Sequence, residues 1–102
     1  MSRLLTDEEL DRQLQDLPGW AVDGTQLLAG FEAPDFPTAI RLVDEVAAEA
    51  EDMNHHPDID IRWRTVHFAL STHDKGGLTQ LDIELAHRIS TAAGRFGVRS
   101  RG

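Results

Sequence analysis

Apolar positions recur along the chain in two rhythms, one helical and one alternating. Leu10, Leu14 and Leu17 stand at helical spacing and Pro18-Gly19 closes the run, which predicts a first helix. Thr6-Asp7-Glu8-Glu9 opens it as a capping box, with Leu5 and Leu10 at the two staple positions. Trp20-Ala21-Val22, a turn at Asp23-Gly24 and the run Gln26 to Glu32 predict a hairpin, since Asp-Gly tolerates the positive φ such turns need. A second helix is expected from about Pro37 to Met53, with Pro37 in its first turn. Two apolar stripes run along it: Phe36, Ile40, Val43, Ala47 and Ala50, then Ala39, Leu42, Val46 and Met53. One sheet face needs only one stripe, so the other is left for wider core contact or a subunit interface.

Ile59, Ile61 and Trp63 alternate with Asp58, Asp60, Arg62 and Arg64, the pattern of a half-buried strand. The apolar phase then flips to Val66, Phe68 and Leu70. A strand of period two keeps its phase, so a tight turn is expected near Arg64-Thr65, followed by a fourth strand from Val66 to Thr72. Gly76-Gly77 breaks the chain. Thr79-Gln80-Leu81-Asp82 caps a third helix, with Leu78 and Ile83 as its staple and Ile83, Ala86, Ile89, Ala93 and Phe96 as its buried stripe. The order α-β-β-α-β-β-α predicts an α+β fold: a four-stranded antiparallel sheet with three helices on one face. Trp20 and Trp63 are core candidates, although a tryptophan at a strand start also suits a pocket wall.

Composition narrows the function classes. The 102 residues suit one domain, and 40% hydrophobic with 27% charged residues is the profile of a soluble globule. No apolar stretch approaches the ~18 residues that span a membrane, and the start lacks the basic and apolar regions of a secretory signal. A cytoplasmic location is the default expectation. With no cysteine, disulfides, thiolate metal sites and cysteine nucleophiles drop out together. A formal net charge of −8 argues against direct nucleic-acid binding, which draws its affinity from basic groups. The tail Arg95, Arg99, Arg101 is too short to reverse that balance.

Chemistry concentrates in Glu51-Asp52-Met53-Asn54-His55-His56-Pro57, where a helix end meets a strand start. Pro57 disfavours helical geometry at His56, so the paired imidazoles sit where the chain turns. A third histidine follows in Ser71-Thr72-His73 at a strand exit, and Asp82 lies in the first turn of the next helix. Imidazoles titrate near neutral pH, and a neighbouring carboxylate orients them and stabilises their cation, so the set suits acid–base catalysis. Histidine pairs in loops are more often incidental than catalytic, and His67 within a strand and His87 within a helix are read as structural. Adjacent residues on extended backbone point apart, and no H-x-H or H-x-x-x-H pair offers two metal ligands from one element. No metal is expected. Ser71 and Thr72 lack a nucleophile elbow, and Gly76-Gly77 lacks a phosphate-loop pattern.

The ordered set Glu51-x-x-x-His55-His56-Pro57, Trp63, Leu70-Ser71-Thr72-His73 and Gly77-Leu78-Thr79-x-x-Asp82 resembles the signature of the pterin-4a-carbinolamine dehydratases. Pro18-Gly19-Trp20 and the placing of the three helices match as well, over about Thr6 to Ala93. The resemblance implies that residues 1–102 form a single domain of that kind. It places the catalytic set on His55, His56 and His73, with Glu51 and Asp82 in support. Substrate contact falls on Asn54, Pro57, Ser71, Thr72, Asp74 and Lys75, with Trp20 at the pocket. The position before the histidine pair is often Asp in the family and is Asn54 here, and Lys75 lies at a variable position. The implied reaction removes water from a 4a-hydroxytetrahydropterin to give quinonoid dihydropterin by histidine general acid–base catalysis, within pterin recycling. The pterin is the substrate, so no cofactor is expected, and neither is a membrane or nucleic-acid partner. A homodimer or homotetramer is implied. Two further roles stay open: a protein-binding dimerisation or coactivator module, as in animal members of the family, and a catalytically weak pterin-binding homologue.

Overall fold

A computed structural model describes residues 3–101. The elements run α1 (Asp7–Leu14), β1 (Ala21–Asp23), β2 (Gln26–Glu32), α2 (Phe36–Met53), β3 (Asp58–Arg62), β4 (Thr65–Leu70), α3 (Gln80–Arg95) and β5 (Arg99–Ser100). A single 3₁₀ turn, His73–Lys75, lies between β4 and α3. The sheet is antiparallel in the order β1-β2-β4-β3, and β5 pairs with β2 as well. The expected α+β architecture is present, with a short fifth strand that the apolar pattern did not announce.

Local chemistry fixes the helix starts. The Thr6 hydroxyl accepts the Glu9 amide at 3.1 Å while the Glu9 carboxylate accepts the Thr6 amide at 2.9 Å, the reciprocal arrangement of a capping box. Arg3 also grips Glu9, and its hydrogen bond is the main reason that the Glu9 carboxyl is pulled down to about 2. Asp35 caps α2 by accepting the Thr38 amide at 2.8 Å, with Pro37 in the first turn. Leu5 and Leu10, and later Leu78 and Ile83, close against the core as the two staples require.

The core lies between one sheet face and the helices. In register, Leu27, Ala29 and Phe31 of β2 stand opposite Leu70, Phe68 and Val66 of β4, and all six are buried. Trp20 and Phe68 flank Phe31 edge-on at 6.1 and 5.9 Å between centroids, a favoured aromatic geometry. The structure decides between the two stripes of α2. Ala39, Leu42 and Val46 are fully buried, whereas Phe36 and Ala47 stay exposed and Ile40 and Val43 are half-buried. Ala50, assigned to the exposed stripe, turns inward.

The third strand departs from expectation. Ile59 and Ile61 stand opposite Phe68 and Val66, yet only Ile59 packs on the core, and Ile61 is 37% exposed. Trp63, expected inside, is 71% exposed. The reason is positional. β3 is an edge strand, and the turn falls at Trp63-Arg64 rather than Arg64-Thr65, because Arg62 already pairs with Thr65. Trp63 takes φ 55, a left-handed conformation that sequence reasoning does not assign to a bulky residue. In the first hairpin the turn likewise moves by one residue, to Gly24-Thr25, with Asp23 paired to Gln26 and Gly24 supplying φ 63.

Candidate active site

The helix α2 ends in a way that aims the histidine pair. Asn54 adopts the left-handed conformation (φ 51, ψ 45). Its amide donates to the Glu51 carbonyl at 3.2 Å, and the His55 amide donates to the Ala50 carbonyl at 3.0 Å. This is a Schellman closure, and Asn is the side chain after Gly that tolerates the position best. The chain therefore leaves α2 sharply, and His55 turns inward while His56 stays at the surface.

Asp82 receives His55. Its Oδ1 accepts His55 Nε2 at 2.6 Å, with Asp82 fully buried and His55 9% exposed. Its Oδ2 accepts the Thr72 hydroxyl at 2.8 Å and the Thr79 amide at 2.9 Å. One carboxylate thus caps α3, holds the exit of β4 and orients an imidazole contributed from the end of α2. Thr72 and Thr79 share a further bond of 2.8 Å between hydroxyls. Thr72 has one hydroxyl proton and gives it to the carboxylate, so Thr79 donates to Thr72. Thr79 in turn accepts the Leu81 amide at 3.2 Å.

This network fixes the His55 tautomer. Ionised carboxylates only accept, so the Nε2 of His55 carries hydrogen. Among the described residues no buried side-chain nitrogen or oxygen lacks a partner, and the His55 imidazole forms no bond besides that to Asp82. Its Nδ1 is therefore open to the cleft. On the surface side His56 Nε2 donates to Glu51 Oε2, and both side chains are well exposed. His73 stands across from them at the start of the 3₁₀ turn. A backbone clip holds that turn: the Thr72 amide donates to the Gly77 carbonyl at 2.9 Å, and the Thr72 carbonyl accepts the Lys75 and Gly76 amides at 3.0 Å each.

A cleft of about 320 Å³ joins these groups, lined by Asn54, His55, His56, Ser71, Thr72, His73 and Asp74. The three histidines named from the sequence converge there from two separate segments. Glu51 reaches it through His56, and Asp82 lies beneath it through His55. Ser71 is buried and donates to the Thr25 carbonyl at 2.9 Å. Pro57 is half-buried where β3 begins, and Lys75 is exposed at the end of the 3₁₀ turn. Neither lines the cleft. Trp20 does not line it either: the ring is buried against Phe31, and its indole N–H donates to Ser90 Oγ at 2.8 Å. Thr79 was not singled out from the sequence as part of the site. Its signals in the sequence are the capping position and its place in the Gly77-Leu78-Thr79-x-x-Asp82 run. No group of three or more His, Cys, Asp or Glu side chains is placed to hold a metal among the described residues.

Arg88 ties the two helices that carry this site. It binds Glu49 at 3.0 Å and Asp52 at 2.8 Å on α2 and Glu84 at 2.8 Å on its own helix. These hydrogen bonds, Asp52 foremost, raise its already high pKa.

A layer of helices over one face of an antiparallel sheet, with histidines and carboxylates gathered at the element ends, defines an α+β protein whose titratable side chains meet in one cleft. The model of the family described as pterin 4 alpha carbinolamine dehydratase matches residues 3–92, and the chain belongs to that family. A relative from Nocardia farcinica, provisionally named pterin-4-alpha-carbinolamine dehydratase, is 54% identical over 92 residues, covering 90% of this chain and 97% of its own. A relative from Mycobacterium tuberculosis H37Rv with the same provisional name is 52% identical over 91 residues, covering 89% and 97%. Among solved structures, a transcriptional coactivator/pterin dehydratase from Brucella melitensis superposes with a TM-score of 0.87 at 35% identity, covering 90% of this chain and all of that one. A pterin dehydratase-like protein described as a RuBisCO assembly factor in the alpha-carboxysome shares the fold at a TM-score of 0.61. Its identity is 21%, over 74% of this chain and 87% of that one. No helix among the described residues is long and apolar enough to cross a membrane.

Proposed function

We propose that the protein dehydrates 4a-hydroxytetrahydropterin to quinonoid dihydropterin by histidine general acid–base catalysis. The observation that carries this reading is the convergence of His55, His56 and His73 on one cleft, with His55 locked through Nε2 onto the buried Asp82. Hydroxide is a poor leaving group. An acid must protonate the 4a oxygen as the C4a–O bond breaks, and a base must take a ring-nitrogen proton as the new double bond forms. The proton lost to the base and the one gained by the oxygen balance, and water departs.

His55 exchanges its proton at Nδ1, the atom open to the cleft, while Asp82 keeps the ring in place and stabilises the imidazolium when it forms. His56, oriented by Glu51, and His73 supply the complementary partners. Positioned proton transfer of this kind contributes typically ~10²–10⁴-fold to a rate. Asn54, Ser71, Thr72 and Asp74 line the same cleft and hold the pterin in this reading, while Pro57, Trp20 and Lys75 act from its surroundings. The pterin serves as substrate, and no resident cofactor or metal takes part. We further propose that the chain works as a homo-oligomer through the uncovered stripe of α2. A direct assay on a carbinolamine substrate tests the function. Turnover well above the spontaneous dehydration rate supports it. A folded protein with no turnover leaves a pterin-binding or partner-binding role in its place.

A further inference from the structure

The opposite end of the sheet carries a second polar hollow, of about 590 Å³, lined by Arg64, Arg99 and Arg101 with Glu32 as its acidic member. The chain past α3 builds it. Gly97 takes φ 69, a turn that a side chain would strain, and Val98 anchors the return by burying itself in the core. Arg99 then stands opposite Glu32 and Ser100 opposite Phe31, and the Arg101 amide donates to the Gly30 carbonyl at 2.9 Å. Alternation along a strand sends Arg99 and Arg101 to the same side of the sheet.

What distinguishes these arginines is that three of them share one hollow with a single carboxylate. The chain has 18 acidic against 10 basic residues. Arg3, Arg62, Arg88 and Arg95 each bind a carboxylate. Glu32, though opposite Arg99 in register, gives its carboxylate to Arg64 at 3.1 Å. Among the described residues Arg99 and Arg101 form no ion pair. Arg64 is held from the other side as well, its guanidinium lying 4.8 Å from the centre of the Trp63 ring. Among the described residues that line the hollow, three guanidinium groups meet one carboxylate, a local excess of positive charge in an otherwise acidic molecule.

We propose that this hollow binds the phosphate group of a phosphorylated small molecule. Guanidinium forks match phosphate oxygens in pairs, which ammonium groups do not. A phosphate monoester carries ~1.5–2 negative charges near neutral pH, a close match to the local excess. The hollow falls within the roughly 300–1,000 Å³ of small-molecule sites. It lies at the β3–β4 turn, whereas the histidine cleft lies where β3 begins and β4 ends, so the two sites are separate and this proposal does not depend on the dehydratase reading.

Calorimetric titration of the full chain with adenosine monophosphate, inorganic pyrophosphate and adenosine tests it. The phosphate-bearing probes should saturate the protein, and adenosine should bind at least ~10-fold more weakly. Raising the salt from about 0.02 to 0.2 M should weaken the phosphate probes several-fold, by screening. Arg99→Gln/Arg101→Gln should weaken them at least ~10-fold, and Arg12→Gln on the exposed side of α1 should not. Amide shifts in the parental protein give a reading that needs no variant: on adding pyrophosphate they should centre on Arg64, Gly97, Arg99 and Arg101. The proposal is overturned if neither phosphate probe saturates, if adenosine equals adenosine monophosphate, if the double variant keeps parental affinity, or if shifts centre on the histidine cleft. Binding to anionic lipid vesicles with no binding of the soluble probes also overturns it.

Discussion

Replacing Asp82 with Asn separates the roles that this one carboxylate combines. The side chain is fully buried and takes three donors, His55 Nε2, Thr72 Oγ1 and the Thr79 amide. An amide of the same shape offers one acceptor oxygen and one NH₂. With its oxygen toward His55, the NH₂ would face the Thr79 N–H, leaving a buried donor unsatisfied at a cost of ~1–3 kcal/mol. With its oxygen toward Thr72 and Thr79, the NH₂ faces His55 Nε2, which must then accept. The imidazole proton moves to Nδ1, and the atom open to the cleft changes from lone pair to N–H. The second arrangement keeps more bonds and should prevail. It still exchanges charge-assisted bonds for neutral ones, a loss of ~1–2 kcal/mol, or roughly 4–15 °C in melting temperature for a domain of this size. Turnover should fall ~10²–10⁴-fold at constant fold, because the proton stands on the wrong nitrogen. Long-range ¹H–¹⁵N spectra of the imidazoles read the tautomer directly, beside a thermal melt and the carbinolamine assay. An Asn variant that keeps the Nε2–H tautomer of His55 and parental turnover would refute the reasoning.

His56→Ala or His73→Ala should lower turnover ~10²-fold or more with little change in melting, and a folded His55→Ala/His56→Ala variant with the parental rate would end the assignment of that pair. His67, read from the sequence as structural within a strand, is exposed on the helix-free face, so His67→Ala should stay within about 0.5 kcal/mol of the parent in a denaturant titration. Dialysis against a strong chelator should leave activity intact, and a loss restored by zinc would establish a metal mechanism instead. Light scattering at micromolar concentration should give at least twice the 11.4 kDa of one chain, and a clean monomer would count against assembly through α2. The Glu9 carboxyl should titrate near 2 by NMR, because Arg3 stabilises its ionised form. Its folded value is depressed, so its contribution to stability is present above the ordinary value of 4.5 and is lost as the pH falls toward 2, and Arg3→Ala should raise the midpoint.

Local signals were legible where local chemistry decides the outcome. Thr6 and Glu9, and Thr79 and Asp82, lie three residues apart, so their capping bonds follow from the sequence alone. The buried stripe of α3 reads directly because one face meets the sheet. The failures have non-local causes. Trp63 carries a strand-like pattern, yet its burial depends on whether an element covers the edge strand, and among the described residues none does. Arg99-Ser100 shows no apolar alternation and becomes a strand only because β2 offers unpaired groups at Phe31 and Glu32. His55 and Asp82 are 27 positions apart, and composition offers no means of pairing them. The family signature brought them together on one list, and the geometry supplies the bond. The capping role of Thr79 reads from the sequence, whereas its hydroxyl bond to Thr72 depends on how β4 and α3 meet.

The two tryptophans give the molecule a built-in pair of optical reporters. Trp20 is sealed between β2 and α3 and donates to Ser90, whereas Trp63 stands in solvent beside Arg64. With no tyrosine in the chain, ultraviolet emission comes from these indoles. An aqueous quencher such as iodide should extinguish the red-emitting Trp63 and leave a blue component from Trp20. That remaining band should shift if α3 lifts from the sheet, since Ser90, the partner of Trp20, and Asp82, the partner of His55, both belong to that helix. Loss of the histidine cleft can thus be followed in real time without a label.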